Sequence, residues 1–261
     1  DLFVEVSHGP TLVDRNIFLS ICSAKLATQG LAFVHNLFAG SFTDVGHATD
    51  HPNGQPRYTP YHVPHRTEIQ GFMSFLHGDA RFYNNIFVQK EVPEAYRSLK
   101  TWLGNPVNFD VGTVPYKDYP SLDEWKAIFA PDADRAKTGD PYFHKLPVFF
   151  AGNVYFNGAK PAETTAFESF TEPVHLGLKE DEVRYYLETN LYEQLKASSV
   201  ETKPIHTQML GMAFEPEQRF EAADGSDIHF DHDFFDEPYG IKPLPGPFKD
   251  PGQVEHELNE S

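Results

Sequence analysis

Cysteine is almost missing from this chain: Cys22 stands alone among 261 residues. A single thiol excludes an intramolecular disulfide framework, so packing and hydrogen bonds must hold the fold. Basic residues are also scarce, with 21 Lys and Arg against 38 Asp and Glu and a formal net charge of -17. That balance repels nucleic acid and anionic polysaccharides, and it favours a neutral ligand. No apolar run approaches the ~18 residues that a membrane-spanning helix requires. Phe, in contrast, occurs 23 times and aromatic residues make up 14% of the chain, as a ladder-packed interior would demand.

What is present is a repeat. Five times an apolar stretch is followed by Asn, an aliphatic residue and an aromatic one: LVDRNIF at Asn16, AFVHNLF at Asn36, RFYNNIF at Asn85, FFAGNVYF at Asn153 and YYLETNLY at Asn190. The segments 4–18 and 73–87 align without a gap, matching His8-Gly9 with His77-Gly78 and Asn16 with Asn85. Short strands with a recurring turn residue suggest an all-β solenoid, a parallel β-helix whose coils pair at about 4.8 Å and whose turns bulge outward. The Asn side chains would then stack in one turn and bond the backbone of the next coil. The other arrangement compatible with the pattern is a β-sandwich.

The solenoid accommodates long loops and short helical insertions. Residues 1–43 read as two consecutive coils, and 44–70 as a long His-, Pro- and Gly-rich loop that returns to a strand near Phe72. Residues 91–142 form a helical excursion in which Ser121, with Glu124 three residues on, caps a helix over SLDEWKAIFA. The chain rejoins the solenoid over 143–157, and 183–235 reads as several further strands, including alternation over Ile205 to Leu210. The expected division is therefore a β-helix domain over 1–240 and a Pro-rich acidic tail over 241–261 that wraps the surface or frays.

Alternation in DLFVEV sets Leu2, Val4 and Val6 on one face and Phe3 and Glu5 on the other, so Glu5 points away from the apolar interior. Carboxylates at matching positions of adjacent coils would stand about 5 Å apart, the spacing that retaining glycoside hydrolysis requires of its carboxyl pair. Counting back from the repeated Asn, the positions equivalent to Glu5 are Lys25 and Ser74, neither a carboxylate. Asp1 lies four residues along the same strand, about 13 Å away. A partner carboxylate is thus expected one coil upstream of Asp1, and the uncapped first strand likewise predicts preceding coils. Lys25 beside Glu5 would favour its ionised form.

The runs DLFVEVSHGPTLVDRNIFLS, HNLFAGSF and HRTEIQGFMSFLHGDARFYNNIFV resemble the carboxyl-terminal half of the β-xylosidases of glycoside hydrolase family 120. The resemblance is specific over residues 1–90 and weaker but continuous to about residue 240. It implies a right-handed parallel β-helix, exo-acting retaining hydrolysis of neutral xylosides, homo-oligomer formation and no cofactor. It assigns Glu5 as general acid/base and puts the nucleophilic Asp in the preceding coil, on a segment that does not occur in these residues. The family's β-sandwich domain does not occur in them either. On that basis the chain by itself should be inactive.

Other polar residues are candidate saccharide contacts. His8 and His77 either serve structural turns or reach sugar hydroxyls. Arg66 and Glu68 either bracket a hydroxyl or form a surface ion pair. Tyr58, Tyr61 and His65 either line a pocket or anchor the long loop, and Trp102 and Trp125 fit packing roles in helices. Asp224, Asp227, Asp231 and Asp233 either hold calcium, without EF-hand spacing, or lie on a solvated strand edge. Two other functions fit a β-helix: a non-catalytic carbohydrate-binding or structural module, and a polysaccharide lyase. The lyase would need calcium and basic residues, which the charge balance opposes.

Overall fold

In a computed structural model that describes residues 1–46, 58–101, 104–138, 144–163, 167–181, 184–249 and 255–257, the chain visits three sheets in turn. The first circuit is β1 (Leu2–Glu5), β2 (Thr11–Asp14) and β3 (Ile17–Phe18), and the second is β4 (Cys22–Ala27), β5 (Gln29–Val34) and β6 (Leu37–Phe38). The third opens with β7 (Ser41–Thr43), leaves for an antiparallel hairpin of β8 (Tyr58–His62) and β9 (Ile69–Ser74), and resumes with β10 (Gly78–Tyr83) and β11 (Ile86–Val88). After an excursion bearing α1 (Leu122–Ile128) and α2 (Arg135–Thr138), the chain re-enters with β12 (Val148–Ala151), β13 (Asn153–Phe156) and β14 (Phe167–Ser169). The sheets are β1-β4-β7, β2-β5-β10-β12 and β3-β6-β11-β13-β14, with parallel pairing throughout. The chain is thus mostly β, with few helices.

Four of the five repeated Asn residues form one ladder. Asn36 Oδ1 accepts the Asn16 backbone N–H at 2.9 Å, Asn85 Oδ1 accepts that of Asn36 at 2.9 Å, and Asn153 Oδ1 accepts that of Asn85 at 3.1 Å. Each amide also donates across circuits, Asn36 Nδ2 to Val13 O, Asn85 Nδ2 to Phe33 O and Asn153 Nδ2 to Phe82 O. The turn needs a left-handed residue before the Asn: Arg15, His35, Asn84 and Gly152 all have φ between 52° and 66°. At Gly152 a Cβ would stand 2.1 Å from Asn84 Oδ1, so only glycine fits there. The aromatic residue of the repeat stacks in step: Phe18, Phe38, Phe87 and Tyr155 follow one another at 4.9, 5.3 and 5.0 Å between ring centres. These separations match the strand spacing, so ring contact and ladder hydrogen bonds form together.

Asn190 does not join the ladder. It sits between the strand Arg184–Thr189 and the helix Leu191–Leu195, where its side chain accepts from His175 N–H and donates to Pro173 O. The expected strands beyond residue 183 are fewer than the sequence suggested. Parallel pairing stops at β14, so the sheet stack does not extend to residue 240. It gives way to antiparallel β15 (Leu176–Asp181) and β16 (Arg184–Thr189), then α3 (Leu191–Leu195) and α4 (Thr207–Leu210). The alternation over Ile205 to Leu210 is therefore mostly one short helix. Its Thr207 hydroxyl donates to Phe220 O, a tertiary contact that local alternation does not encode. A two-strand ribbon of β17 (Met212–Ala213) and β18 (Gln218–Arg219) follows, and β19 (Glu255–Glu257) adds to β16.

The loop expected over 44–70 is in part the β8–β9 hairpin, and residues 47–57 lie outside the described residues. Within the helical excursion expected over 91–142, the described residues form 3-10 turns at Glu94–Tyr96 and Val114–Tyr116 besides α1 and α2, and Trp102 is not described. The capping box of α1 forms as expected, Ser121 Oγ accepting from Glu124 N–H and Glu124 from Ser121 N–H. The tail wraps the body through Phe248, which is 1% exposed. Among the described residues no helix is long and apolar enough to cross a membrane.

His35 ties the ladder turn to the tail. Its Nδ1 faces Gly246 O at 3.1 Å, Asn84 Nδ2 lies 3.1 Å from Nε2, and the ring stacks on Tyr239 at 4.7 Å. Burial, aided by the Arg15 charge and opposed by the Gly246 hydrogen bond, pulls its pKa down to about 4. The folded value lies below the unfolded one, so the unfolded chain takes up the proton first as pH falls. The His35 contribution is complete above the unfolded pKa near 6.5 and is lost as pH drops through about 4. Urea unfolding at neutral pH and near pH 4 should show a loss on the order of 3 kcal/mol that His35→Gln does not share. An equal pH dependence in the variant would contradict this role.

Candidate active site

β1 alternates as its sequence requires, with Leu2 and Val4 half-buried and Phe3 and Glu5 exposed. The strand ends at Glu5, and Val6, with a φ of 52°, turns the chain into the next corner. Glu5 is therefore presented outward at the last position of an edge strand. Among the described residues nothing pairs with the outer edges of β1, β2 or β3, which lie at one end of their three sheets.

The residue beside Glu5 on β4 is not Lys25. The register pairs Glu5 with Ala27 and Phe3 with Lys25. From Glu5 to Thr11 is six steps, but from their partners Ala27 to Leu31 is four, because the first corner carries two more residues. Counting from the Asn therefore slips by two at this corner. Ser74 is not stacked with Glu5 either, because it pairs with Tyr58 inside the hairpin. Lys25 stands diagonally from Glu5, about 8 Å away between strand positions.

Lys25 is held by two neighbours. Its Nζ lies 4.5 Å from the Phe3 ring centre and 3.4 Å from Asp44 Oδ2. Asp44 is buried, with no hydrogen bond to Oδ1 among the described residues. The Lys25 charge is thus its main compensation, and removing it would leave a buried carboxylate unpaired. Asp44 was not singled out from the sequence, because only the Lys25–Thr43 pairing of β4 with β7 brings it beside the lysine. Asp1 stays at the far end of β1, its carboxylate bound to the Ser20 hydroxyl and backbone N–H. It does not approach Glu5.

The other candidates separate. His8 is buried beneath the hairpin, with Nε2 bonded to the Thr59 hydroxyl and its ring at 6.5 Å from Tyr61 and 6.1 Å from Phe75. Burial lowers its pKa, against a smaller effect of Thr59. His77 is 1% exposed and packs edge-on against Phe75, while its carbonyl accepts from Leu146 N–H. Neither presents its ring at the surface. Tyr58 is exposed on β8, whereas Tyr61 closes over Gly71. His65 bonds Glu221 at 2.7 Å, and Arg66 lies 3.5 Å from Glu68 with both side chains exposed. Glu5, Lys25 and the exposed Phe3 ring therefore share one outward face, and the hairpin seated on His8 carries Tyr58.

The four acidic residues at 224–233 do not converge. Asp224 bonds Ser226, Asp227 bonds Arg219, Asp231 bonds His232, and Asp233 accepts the backbone N–H groups of Phe235, Glu237 and Lys249. Among the described residues no group of three or more His, Cys, Asp or Glu is placed to hold a metal ion.

No protein-family model and no curated protein matches this chain. A solved structure of XylC in complex with xylose does, at 28% identity and a TM-score of 0.76. The match covers 98% of this chain and 37% of that one, so the chain spans well under half the length of XylC.

Proposed function

We propose that this chain is part of a retaining, exo-acting glycosidase that releases xylose from neutral xylosides, with Glu5 as general acid/base. The similarity to a xylose-bound protein along almost the whole chain carries this reading. The cyclic order of the three parallel sheets supports a right-handed β-helix, and the charge of -17 suits an uncharged saccharide.

A carboxylate strand added to the open edge of β1 would lie about 4.8 Å from it, and a retaining carboxyl pair needs about 5 to 5.5 Å. The nucleophile in this proposal is an Asp on such a strand. Protonated Glu5 gives its proton to the glycosidic oxygen while that Asp attacks the anomeric carbon and the leaving group departs. Glu5, now ionised, takes a proton from water, which attacks the same carbon and frees both sugar and Asp. Phe3 offers an apolar ring to the sugar face, Lys25 a donor to its hydroxyls, and Tyr58 a wall.

The chain alone should release no xylose from xylobiose or an aryl xyloside, and the polypeptide that adds the proposed strand should do so. Turnover by the chain alone would overturn the placement of the nucleophile.

A further inference from the structure

A cavity of about 310 Å³ lies where α1 faces the segment after β17. That volume is at the lower end of the range for small-molecule sites. Its walls include Ser74, Leu76, Trp125, Phe129, Phe214 and Glu215. Three aromatic rings cluster there, Trp125 at 4.6 Å from Phe129 and 5.3 Å from Phe214 between ring centres. Phe129 and Phe214 are 39% and 46% exposed.

The polar wall is built rather than incidental. Phe214 N–H donates to Asp79 Oδ2 at 2.7 Å, and Asp79 is ion-paired with Arg81 at 2.6 Å. Arg81 in turn donates to the carbonyls of Leu210 and Met212, so the segment leading to Glu215 is fixed from both sides. Glu215 is 8% exposed, and among the described residues nothing closes a hydrogen bond to its Oε2. The neighbouring Gln29 is fully buried, its Oε1 accepting from Leu76 N–H and its amide N–H group lying beside the Glu215 carboxyl. Burial raises the Glu215 pKa, opposed by Gln29 and reinforced by the Asp79 charge. A buried carboxyl group beside partly exposed rings suits a partner with hydroxyl groups on an apolar ring.

We propose that this cavity binds the ring of a neutral monosaccharide, with an apolar face on Trp125 and Phe129 and a hydroxyl bonded to Glu215. The site does not require Glu5 or hydrolysis. Its test is a titration of the ¹⁵N-labelled chain with D-xylose, following the indole N–H resonances of its two tryptophans. The Trp125 resonance should shift saturably, Glu215→Ala should weaken the effect about tenfold, and Glu5→Gln should leave it unchanged. Tetrahydropyran, the same ring without hydroxyls, should bind far more weakly, a comparison that needs no variant. No saturable shift up to the solubility of the sugar would overturn the proposal. So would loss of the shift in Glu5→Gln, or tighter binding of tetramethylammonium than of xylose. An unchanged affinity in Glu215→Ala would also overturn it, leaving the carboxyl as a site for water only.

Discussion

Glu5→Gln should lower kcat/KM on a methyl or xylobiosyl substrate by about a thousandfold, within the range for loss of a positioned general acid. The same change should cost less than about tenfold in kcat/KM on a nitrophenyl xyloside, whose leaving group departs without a proton. The second step separates the roles further. In the proposed mechanism, release of the covalent sugar needs Glu5 as base, so kcat on the nitrophenyl substrate should fall together with KM and a burst of nitrophenol should appear. Equal losses of kcat/KM on both substrates would remove Glu5 from the acid role. The measurement applies to the polypeptide that supplies the strand proposed to pair with β1.

Asn85→Ala should destabilise the fold by about 3 to 5 kcal/mol, the sum expected for several buried groups losing partners at once. Asn85 is fully buried, and its side chain accepts from Asn36 N–H and Asn36 Nδ2 while donating to Phe33 O and Asn153 Oδ1. Its loss leaves Asn36 donors and a Phe33 carbonyl facing a void in the middle of the ladder. Asn190→Ala, outside the ladder and more accessible, should cost only about 1 kcal/mol. Urea unfolding of the two variants checks the contrast. Equal costs would mean that the ladder is not what the repeat encodes.

The Asn-apolar-aromatic repeat was legible because one residue must perform one task at every circuit. An amide side chain can both accept from the Asn of the previous circuit and donate to a carbonyl of that circuit, and the aromatic two residues on falls into the ring stack. Asn190 imitates the pattern because Asn followed by Leu and Tyr also suits the start of a helix, which α3 is. The inside-outside assignment of Leu2, Phe3, Val4 and Glu5 followed from strand alternation alone. Register did not, because two extra residues in the corner after Glu5 leave the local pattern untouched. The Lys25–Asp44 pair and the Glu215 cavity were invisible for a related reason: each joins segments whose contact depends on where an excursion returns. The hairpin shows the same limit, since His, Pro and Gly within 44–70 mark turns but not the pairing of Tyr58 with Ser74.

The central claim is that Glu5 completes a retaining pair of carboxyl groups, and stereochemistry tests it most directly. Glu5→Ala, in the polypeptide with the proposed strand, should trap the covalent sugar and recover turnover when azide is added. Azide needs no general base, so it should attack the anomeric carbon in place of water. The account predicts β-xylosyl azide from a β-xyloside, two inversions giving net retention. An α-configured azide, or no recovery by azide, would contradict it.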